Sequence, residues 1–345
     1  MESFNKCWII ADYLSSYFLI HINWREKMDL VVILNVNPNE NTDKKIVNNR
    51  EYTRRELKTI LAKGFSEFIK NIIFYDNFEK FKENVHQHLD DFVLNFDFGY
   101  NSKIRNMNVP AFCENYNIKY FNPDPYVQVI CQDKFMTEKF AENFEIKTPQ
   151  SLLVFLHSYN KELLSNFNYP VIIKPNYESE SIGITQNSIV SDINKADYVI
   201  KKLLNDFDGI LIEEYIEGSE IAITVFGNED KLFFEEVELN FPEMEKFKYK
   251  AYTSEIKQNI EIEVKKSSYL KPKDINHIKQ LYYNLSPNKL IRIDCRIKNS
   301  EMYLIEINAN PGLYPKSIVP MTFKVNGYTY NEMLKKLFQD IIINF

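Results

Sequence analysis

Short apolar runs alternate with amphipathic stretches over roughly the first 125 residues, which predicts strands and helices in turn. After Asp29, residues 30–34 form a continuous apolar run, which suits a strand that is covered on both faces. Residues 52–70 carry apolar positions at three- and four-residue steps, the spacing of a helix with one buried face. Apolar runs at 72–75 and 91–96 flank a polar helical stretch at 77–89. Because helices separate the strands, a parallel α/β domain is expected here.

The pattern continues with further helices and strands in the remainder of the chain. Asp124 can cap a helix that begins at Pro125, because proline suits a first helical turn. Residues 220–227 are expected to form a hairpin with the preceding strand, and Asp192 is expected to cap a helix that runs to about residue 207. The other predicted strands are 170–174, 182–187, 210–215, 290–298 and 302–308, and the other predicted helices are 273–285 and 329–343.

The composition is that of a globular protein, and it narrows the class of partner. Apolar residues make up 45% of the 345 residues and charged residues 26%, which excludes a disordered chain. A chain of this length exceeds what one core usually serves, so two or three domains are expected. The net charge of -6, without a basic block, argues against nucleic acid or an anionic membrane surface as the main partner.

The cysteines and the apolar N-terminal segment indicate a cytoplasmic protein. The four cysteines stand far apart and form no C-x-x-C pair, which is typical of free thiols in a reducing compartment. Segment 8–24 contains Asp12 and His21 and is too short and too polar for a membrane helix. It also lacks the flanks of a secretory signal. We therefore expect residues 1–28 to be a packed extension, with Met28 as an alternative start.

Two predicted strands near the C-terminus carry candidate metal ligands. Because side chains alternate along a strand, Arg292, Asp294 and Arg296 share one face of the first strand. The same rule places Glu306 and Asn308 together on the second. Carboxylate and amide oxygens are hard ligands, which Mg²⁺ takes alongside phosphate oxygens and water. An amphipathic hairpin with a solvated polar face remains the alternative.

Two further segments favour nucleotide binding only in combination with this strand pair. Lys174 closes an apolar strand and precedes a polar loop, an arrangement that suits a grip on phosphates. Neither a Walker loop nor a G-x-G-x-x-G sequence is present, so an ordinary surface lysine is the alternative. Residues 211–220 predict a strand that ends in a tight turn rich in glutamate. Its exposed backbone and carboxylates suit an adenine and a ribose, and a charged hairpin is the alternative.

In this order, the three segments resemble the ATP-grasp superfamily and, within it, the D-alanine–D-alanine ligase branch. The resemblance begins at about residue 29 and is strongest over 170–335. It implies an α/β and α+β multidomain fold of ATP-grasp architecture, whose N-terminal parallel α/β domain comprises residues 1–127. The implied ATP-grasp subdomains are 128–209 and 210–345, with ATP between them. The matching segments are Val109-Pro-Ala111, Asn122-Pro-Asp124, Gln132-Asp-Lys134, Pro170 to Pro175, Glu306-Ile-Asn308, Asn310-Pro-Gly312 and Ser317 to Met321.

The resemblance also implies a role for each matching site residue. The implied contacts to the α- and β-phosphates of ATP are Lys134 and Lys174, and adenine and ribose would be held by Glu213, the backbone of Ile216, and Glu220. Two Mg²⁺ ions, with Mn²⁺ as an alternative, would be held by Asp294, Glu306 and Asn308. The oxyanion and the acceptor carboxylate would be held by Arg292, the Gly312 amide and Ser317.

The sequence departs from the family pattern mainly around the donor substrate. The family's glycine-rich loop reads Glu-Gly-Ser-Ser, whereas this chain has Glu178-Ser-Glu-Ser181, so Glu180 replaces the serine that helps to place the donor. The family's Gly-Gly turn is replaced by residues 35–38, and Glu40 is the candidate partner of the donor ammonium. The family's lysine–tyrosine pair corresponds to Lys250 and Tyr252 with a spacing that differs by one. Glu180, Ser181, Lys250 and Tyr252 are therefore the predicted substrate contacts.

These features predict an ATP-dependent carboxylate–amine ligase that forms an amide or peptide bond through an acyl phosphate. The expected substrates are a small carboxylate and an amino-acid acceptor, and a homodimer is one option for the assembly. A true D-alanine–D-alanine ligase of cell-wall synthesis is one alternative. A nucleotide-binding module without turnover is the other, because a loop that closes over phosphates usually contains glycine and this loop keeps only Gly183.

Overall fold

The first sheet is parallel, as the alternation of strands and helices predicted. In the computed structural model, residues 29–34, 54–96, 103–179, 181–242, 249, 262–285 and 290–343 are described. Its four strands lie in the order β2-β1-β3-β4, and β1 is buried along its whole length. The strands are β1 (Leu30–Ile33), β2 (Ile72–Tyr75), β3 (Phe92–Asn95) and β4 (Lys119–Tyr120), and the helices around them are α1 (Arg54–Phe65), α2 (Phe78–Glu83) and α3 (Asn108–Asn115).

The second sheet follows a pair of consecutive helices and is antiparallel, with the order β5-β8-β6-β7. Asp124 caps the first of these helices by accepting a hydrogen bond from the amide of Val127, and Asp192 caps the helix within this region, as the sequence predicted. The elements are α4 (Pro125–Gln132), α5 (Lys134–Glu142), β5 (Ser151–Val154), β6 (Val171–Pro175), β7 (Ile189–Val190), α6 (Ile193–Leu203) and β8 (Ile210–Glu214).

The third sheet has five antiparallel strands in the order β11-β10-β9-β12-β13. The predicted pair of strands at its edge is confirmed as β12 and β13. The elements are β9 (Ser219–Phe226), β10 (Phe233–Asn240), β11 (Glu263–Lys266), α7 (Pro272–Asn284), β12 (Leu290–Lys298), β13 (Glu301–Asn308), α8 (Ile318–Val325) and α9 (Tyr330–Ile343).

Two local predictions are wrong. Residues 182–187 do not form a strand, because Thr185 caps a turn of 3₁₀ helix at Gln186–Ser188 and pairing begins only at Ile189. Residues 220–227 are not the hairpin partner of the preceding strand, because β9 pairs with β10 and β12 in the third sheet. The turn between β8 and β9 therefore carries the chain from one sheet to the next.

Because β8 pairs in the second sheet, we place the proposed boundary between the two ATP-grasp subdomains after Glu214 rather than at residue 209. The other domain limits stay predictions. The N-terminal extension 1–28, including Met28, lies outside the described residues. Among the described residues, no helix is long and apolar enough to cross a membrane.

The last helix joins the first sheet to the third. Phe338 on α9 packs against Phe65 and Phe121, with ring centroids 4.7 and 4.6 Å apart. The same buried cluster includes Phe226 on β9 and Leu290 on β12. Apolar burial of this extent stabilises the arrangement and fixes the edge of the third sheet relative to the N-terminal domain.

Gly218, in the turn between β8 and β9, has a backbone requirement that can be tested. It has φ +151°, and a Cβ placed on it would lie 1.9 Å from the carbonyl oxygen of Ile297. We expect Gly218→Ala to lower the free energy of unfolding, measured in urea, by about 3 kcal/mol or more. The unfavourable φ of an alanine here and the clash of its Cβ with the Ile297 carbonyl both contribute to this loss. Gly327→Ala is the matched control, since φ is +92° there but no atom lies within 4 Å of the new Cβ. It should cost about 1 kcal/mol, and equal losses in the two variants would contradict the argument.

Candidate active site

A large cleft lies where the second and third sheets meet, with a volume of about 2350 Å³. This exceeds the roughly 300–1,000 Å³ of most small-molecule pockets, so it has room for a nucleotide together with substrates. Its walls include side chains from the ends of β6 and β8, from β12 and β13, and from the turn after β13. The helical segment around Arg105, from the N-terminal domain, closes one side.

Three polar residues of β12 and β13 form one hydrogen-bonded group at the cleft, and Glu306 lies beside that group. Strand register places Arg292 opposite Asn308 and Asp294 opposite Glu306. The Arg292 guanidinium donates two hydrogen bonds of 2.7 Å to the two Asp294 oxygens, and the Asn308 amide donates a third of 2.9 Å to Oδ2. A bulge directly after Asp294 shifts the register of the rest of the strand pair. The side-chain clustering predicted from the alternation rule is therefore present.

Burial dominates the electrostatics of this group. It raises the pKa of the Asp294 carboxyl, with Glu306 adding to the effect and Arg292 opposing it. A carboxyl group that is shielded from solvent beside a second carboxylate is stabilised in its ionised form by a cation that binds nearby. This corner of the cleft therefore favours positive charge.

The two predicted phosphate lysines both enter the cleft floor, although from different elements. Lys174 Nζ at the end of β6 lies 2.7 Å from Glu213 Oε1 on β8, and both side chains are buried. Burial alone would lower the pKa of Lys174, but the acidic residues around it, above all Glu213, outweigh burial and raise that pKa. Lys134, at the start of α5, donates to the backbone carbonyl of Glu178, and burial lowers its pKa. Lys174 is thus firmly cationic.

The segment that follows β8 forms a pocket wall beside the lysines. Tyr215 and Ile216 are buried, and Glu220 extends from the start of β9 into the cleft. Arg296 donates a 2.6 Å hydrogen bond to Glu220 Oε2 and a 3.2 Å bond to the carbonyl oxygen of Gly218. This pairing orients the Glu220 carboxylate, and the alternation rule had placed Arg296 on the same strand face as Asp294.

The turn after β13 brings the predicted oxyanion and acceptor residues together. Gly312 lies so close to Ser317 that a Cβ on the glycine would be 2.7 Å from Ser317 Oγ. Ser317 directly precedes α8, and its hydroxyl does not cap that helix. Asn310 accepts a 2.6 Å hydrogen bond from the Asn122 amide of the N-terminal domain, which anchors the turn. Gly312 and Ser317 both line the cleft.

Two site residues were not found from the sequence. Arg105 donates a hydrogen bond of 3.1 Å to the Glu178 carboxylate and one of 3.2 Å to the carbonyl oxygen of Tyr177, and so ties the loop after β6 to the N-terminal domain. Glu138 lies on α5, four residues after Lys134, and is fully buried. Neither residue belongs to a local motif, so only the folded chain reveals them.

Several predicted substrate contacts cannot be located. Glu180, Lys250 and Tyr252 lie outside the described residues, as do residues 35–38 and Glu40. Ser181 is described, with φ 61°, in the loop that lines the cleft beside Gly183. The donor side of the site therefore stays a prediction from sequence.

Comparison with known proteins identifies the family. Residues 144–339 match the family described as "D-ala D-ala ligase C-terminus". The chain belongs to this family. The ATP-grasp resemblance drawn from the motifs, and with it the prediction of a ligase that forms C–N bonds, is confirmed.

Relatives of this ligase family match most of the chain. A D-alanine–D-alanine ligase from Petrotoga mobilis is 29% identical over 246 residues, which are 70% of this chain and 76% of that ligase. A D-alanine–D-alanine ligase from Carboxydothermus hydrogenoformans is 25% identical over 292 residues, 81% of this chain and 89% of the relative. The similarity therefore extends beyond the C-terminal family region into the N-terminal domain.

Solved structures of ligases share the fold at lower identity. The D-alanine–D-alanine ligase from Bacillus anthracis, complexed with ATP, has a TM-score of 0.66 at 18% identity and covers 92% of this chain and 98% of its own. The VanG D-Ala:D-Ser ligase from Enterococcus faecalis has a TM-score of 0.68 at 20% identity, and the match covers 91% of this chain and 99% of the VanG chain. The predicted multidomain ATP-grasp architecture is thus confirmed over nearly the whole chain.

Proposed function

We propose that this family member is an ATP-dependent carboxylate–amine ligase whose active site is the cleft between the second and third sheets. The observation that carries the proposal is the convergence of two independent groups on that cleft. One is the buried Lys174–Glu213 pair, and the other is the Arg292–Asp294–Asn308 hydrogen-bonded group beside Glu306. The ammonium groups of Lys174 and the neighbouring Lys134 suit the phosphates of a triphosphate, and the adjacent carboxylates suit the metal that is bound with it.

In this proposal the nucleotide lies along β6 and the segment after β8. Lys174 and Lys134 bind the α- and β-phosphates, because both ammonium groups lie in the cleft floor. Glu213 and the Ile216 backbone take the adenine, and Glu220 takes the ribose hydroxyls. Arg296 keeps the Glu220 carboxylate oriented through one oxygen, which leaves the other oxygen for the ribose.

Asp294, Glu306 and Asn308 are the proposed Mg²⁺ ligands, with Mn²⁺ as an alternative. The donor set is two carboxylates and one amide on adjacent strands, and the described residues contain no cluster of three or more His, Cys, Asp or Glu that could hold a metal alone. That set fits an ion that shares its coordination with phosphate oxygens and water rather than one held in an all-protein cage. When bound, the two ions would neutralise negative charge on the transferring phosphoryl group.

The reaction that we propose has two steps. The carboxylate of the first substrate attacks the γ-phosphorus of ATP, which gives an acyl phosphate and ADP. The amine of the second substrate then attacks the acyl carbon, phosphate leaves, and an amide bond forms after the amine has lost a proton. Arg292 and the Gly312 amide stabilise the oxyanion of the tetrahedral intermediate, and Ser317 receives the acceptor carboxylate. Positioning and charge neutralisation therefore supply most of the catalysis.

We further propose that both substrates are small amino acids, as in the D-alanine–D-alanine ligases of similar sequence. Those relatives favour two D-alanines. Glu180 instead favours another pair, because a carboxylate in the donor pocket would repel a bare carboxylate and attract an ammonium or a more basic donor. A cytoplasmic location and a homodimer stay predictions.

The decisive experiment is ADP release measured across pairs of amino acids with ATP and Mg²⁺. We expect release that depends on both substrates, and with Glu180→Ser we expect D-alanine to gain as donor relative to the wild-type preference. Asn187→Ala, at an exposed residue of the same segment for which no substrate contact is proposed, serves as the control for local disturbance. If wild type worked best on two D-alanines and Glu180→Ser changed nothing, the simpler D-alanine–D-alanine ligase assignment would stand. Tight ATP binding without ADP from any pair would favour the nucleotide-binding module.

A further inference from the structure

Glu138 is a buried acidic residue behind the cleft floor, next to Glu213, and the proposed reaction has no direct use for it. It lies one helical turn after Lys134, so both side chains project from the same face of α5. Its exposure is 0%, and its carboxyl lies beside that of Glu213 and near the Ser151 hydroxyl. Neither Glu138 oxygen accepts a hydrogen bond from any residue within the described ranges.

The charges around Glu138 explain why it cannot easily be ionised. Lys174 on β6 already pairs with Glu213 on β8, and this pair is neutral as a unit. The facing helix α4, Pro125–Gln132, contains no charged residue, and Lys134 is engaged with the Glu178 carbonyl. Glu306 on β13, which packs against α5, would add a further negative charge. An ionised Glu138 would therefore be a surplus buried anion, which is strongly unfavourable.

A proton on Glu138 removes this conflict. Burial, and after it the Glu213 carboxylate, raises the pKa of Glu138 to about 9. A protonated carboxyl can donate one hydrogen bond, and the Glu213 carboxylate beside it, which pairs with Lys174, is the acceptor that a buried donor requires.

We propose that Glu138 is a positioning residue that stays protonated in the working enzyme and donates a hydrogen bond to Glu213. That bond holds the Glu213 carboxylate where it can pair with Lys174 and face the nucleotide. It also keeps the site from gaining a negative charge where phosphates must bind. The role of this hydrogen bond toward the nucleotide rests on the proposed function, whereas the protonation of Glu138 does not depend on it.

Infrared difference spectroscopy of the complete chain tests the proton without nucleotide. We expect wild type to show the carbonyl-stretch band of a protonated carboxylic acid at neutral pH, and Glu138→Gln to lose that band. The control is Glu142→Gln on the same helix, where the exposed Glu142 pairs with Lys139 and should contribute no such band. If Glu138→Gln does not fold, Glu138→Asp keeps a carboxylic acid and should move the band. A spectrum that is unchanged in both variants would overturn the proposal.

The dependence of nucleotide affinity on pH tests the positioning role. Calorimetry with ADP and MgCl₂ should give similar dissociation constants for wild type and Glu138→Gln at neutral pH, because glutamine keeps a donor and no charge. Above the pKa of about 9, ionisation of Glu138 should weaken wild-type binding by up to about tenfold per pH unit relative to the variant. The comparison with Glu138→Gln separates this effect from titration of the lysines. If the dissociation constant for ADP changed with pH in the same way in wild type and in Glu138→Gln, the positioning role would be overturned. Absence of ADP binding in both proteins would instead count against the proposed function.

Discussion

Glu306→Gln should reduce the rate of ADP release by about a hundredfold or more and leave the fold intact. The substitution keeps a polar side chain of the same shape on β13 but removes one of the two carboxylate charges at this site, the one opposite Asp294. Glutamine would therefore hold Mg²⁺ and the transferring phosphoryl group less well. The measurement is steady-state ADP release with the best amino-acid pair, repeated over a range of Mg²⁺ concentrations. We expect the Mg²⁺ concentration for half-maximal rate to rise as well.

Glu301→Gln on the same strand is the matched control for this prediction. Glu301 pairs with Lys147 and Lys271 at the other end of β13, away from the cleft. Its loss should change neither the rate nor the Mg²⁺ dependence. A Glu306→Gln enzyme with wild-type rates at saturating Mg²⁺ would show that the metal residues have been assigned wrongly.

Lys174→Met should both abolish turnover and destabilise the protein, by about 3–5 kcal/mol. The methionine fills a similar volume but leaves Glu213 buried without its cation, beside the carboxyl of Glu138. The free energy of unfolding in urea gives the stability, and ADP release gives the turnover. The matched control is Lys298→Met, because Lys298 and Glu214 form a 3.1 Å pair that is half-exposed. That pair should be worth at most about 1 kcal/mol.

A double variant separates the two effects of losing Lys174. Lys174→Met combined with Glu213→Gln removes the unpaired charge, so it should recover much of the stability. It should recover none of the turnover, because the phosphate contact is still missing. Equal stability losses for Lys174→Met and Lys298→Met would contradict the burial argument, whatever the activity.

The strand pair at the proposed metal site could be predicted closely from the sequence because its chemistry is local. Alternation along β12 and β13 placed Arg292, Asp294, Glu306 and Asn308 on one face, and the pairing of the strands brings them together. The parallel first sheet was predicted for a similar reason, since its strands are short apolar runs separated by helices. Apolar positions that recur every second residue determine such strands, and those that recur every three to four residues determine such helices.

The relations that depend on tertiary structure could not be predicted. The sequence of the strand after Gly218 is compatible with pairing to β8 or to β12, so it does not determine the partner. The close approach of the Ile297 carbonyl to Gly218 is likewise a contact that exists only in the folded chain. Arg105 and Glu138 act on residues that lie far away in sequence, so no spacing reveals them. Lys134 and Lys174 could be assigned to one site before the fold was known because the family resemblance supplied this long-range information, and both line the cleft.

Packing of α9 against the first sheet has a consequence for the order of events during synthesis. Phe338 fills the core beside Phe65 and Phe121, yet it is translated after all three sheets. Domains generally fold as units from the N-terminus as they leave the ribosome. Here the aromatic surface formed by Phe65 and Phe121 stays uncovered in the growing chain until α9 has been synthesised and can pack against it.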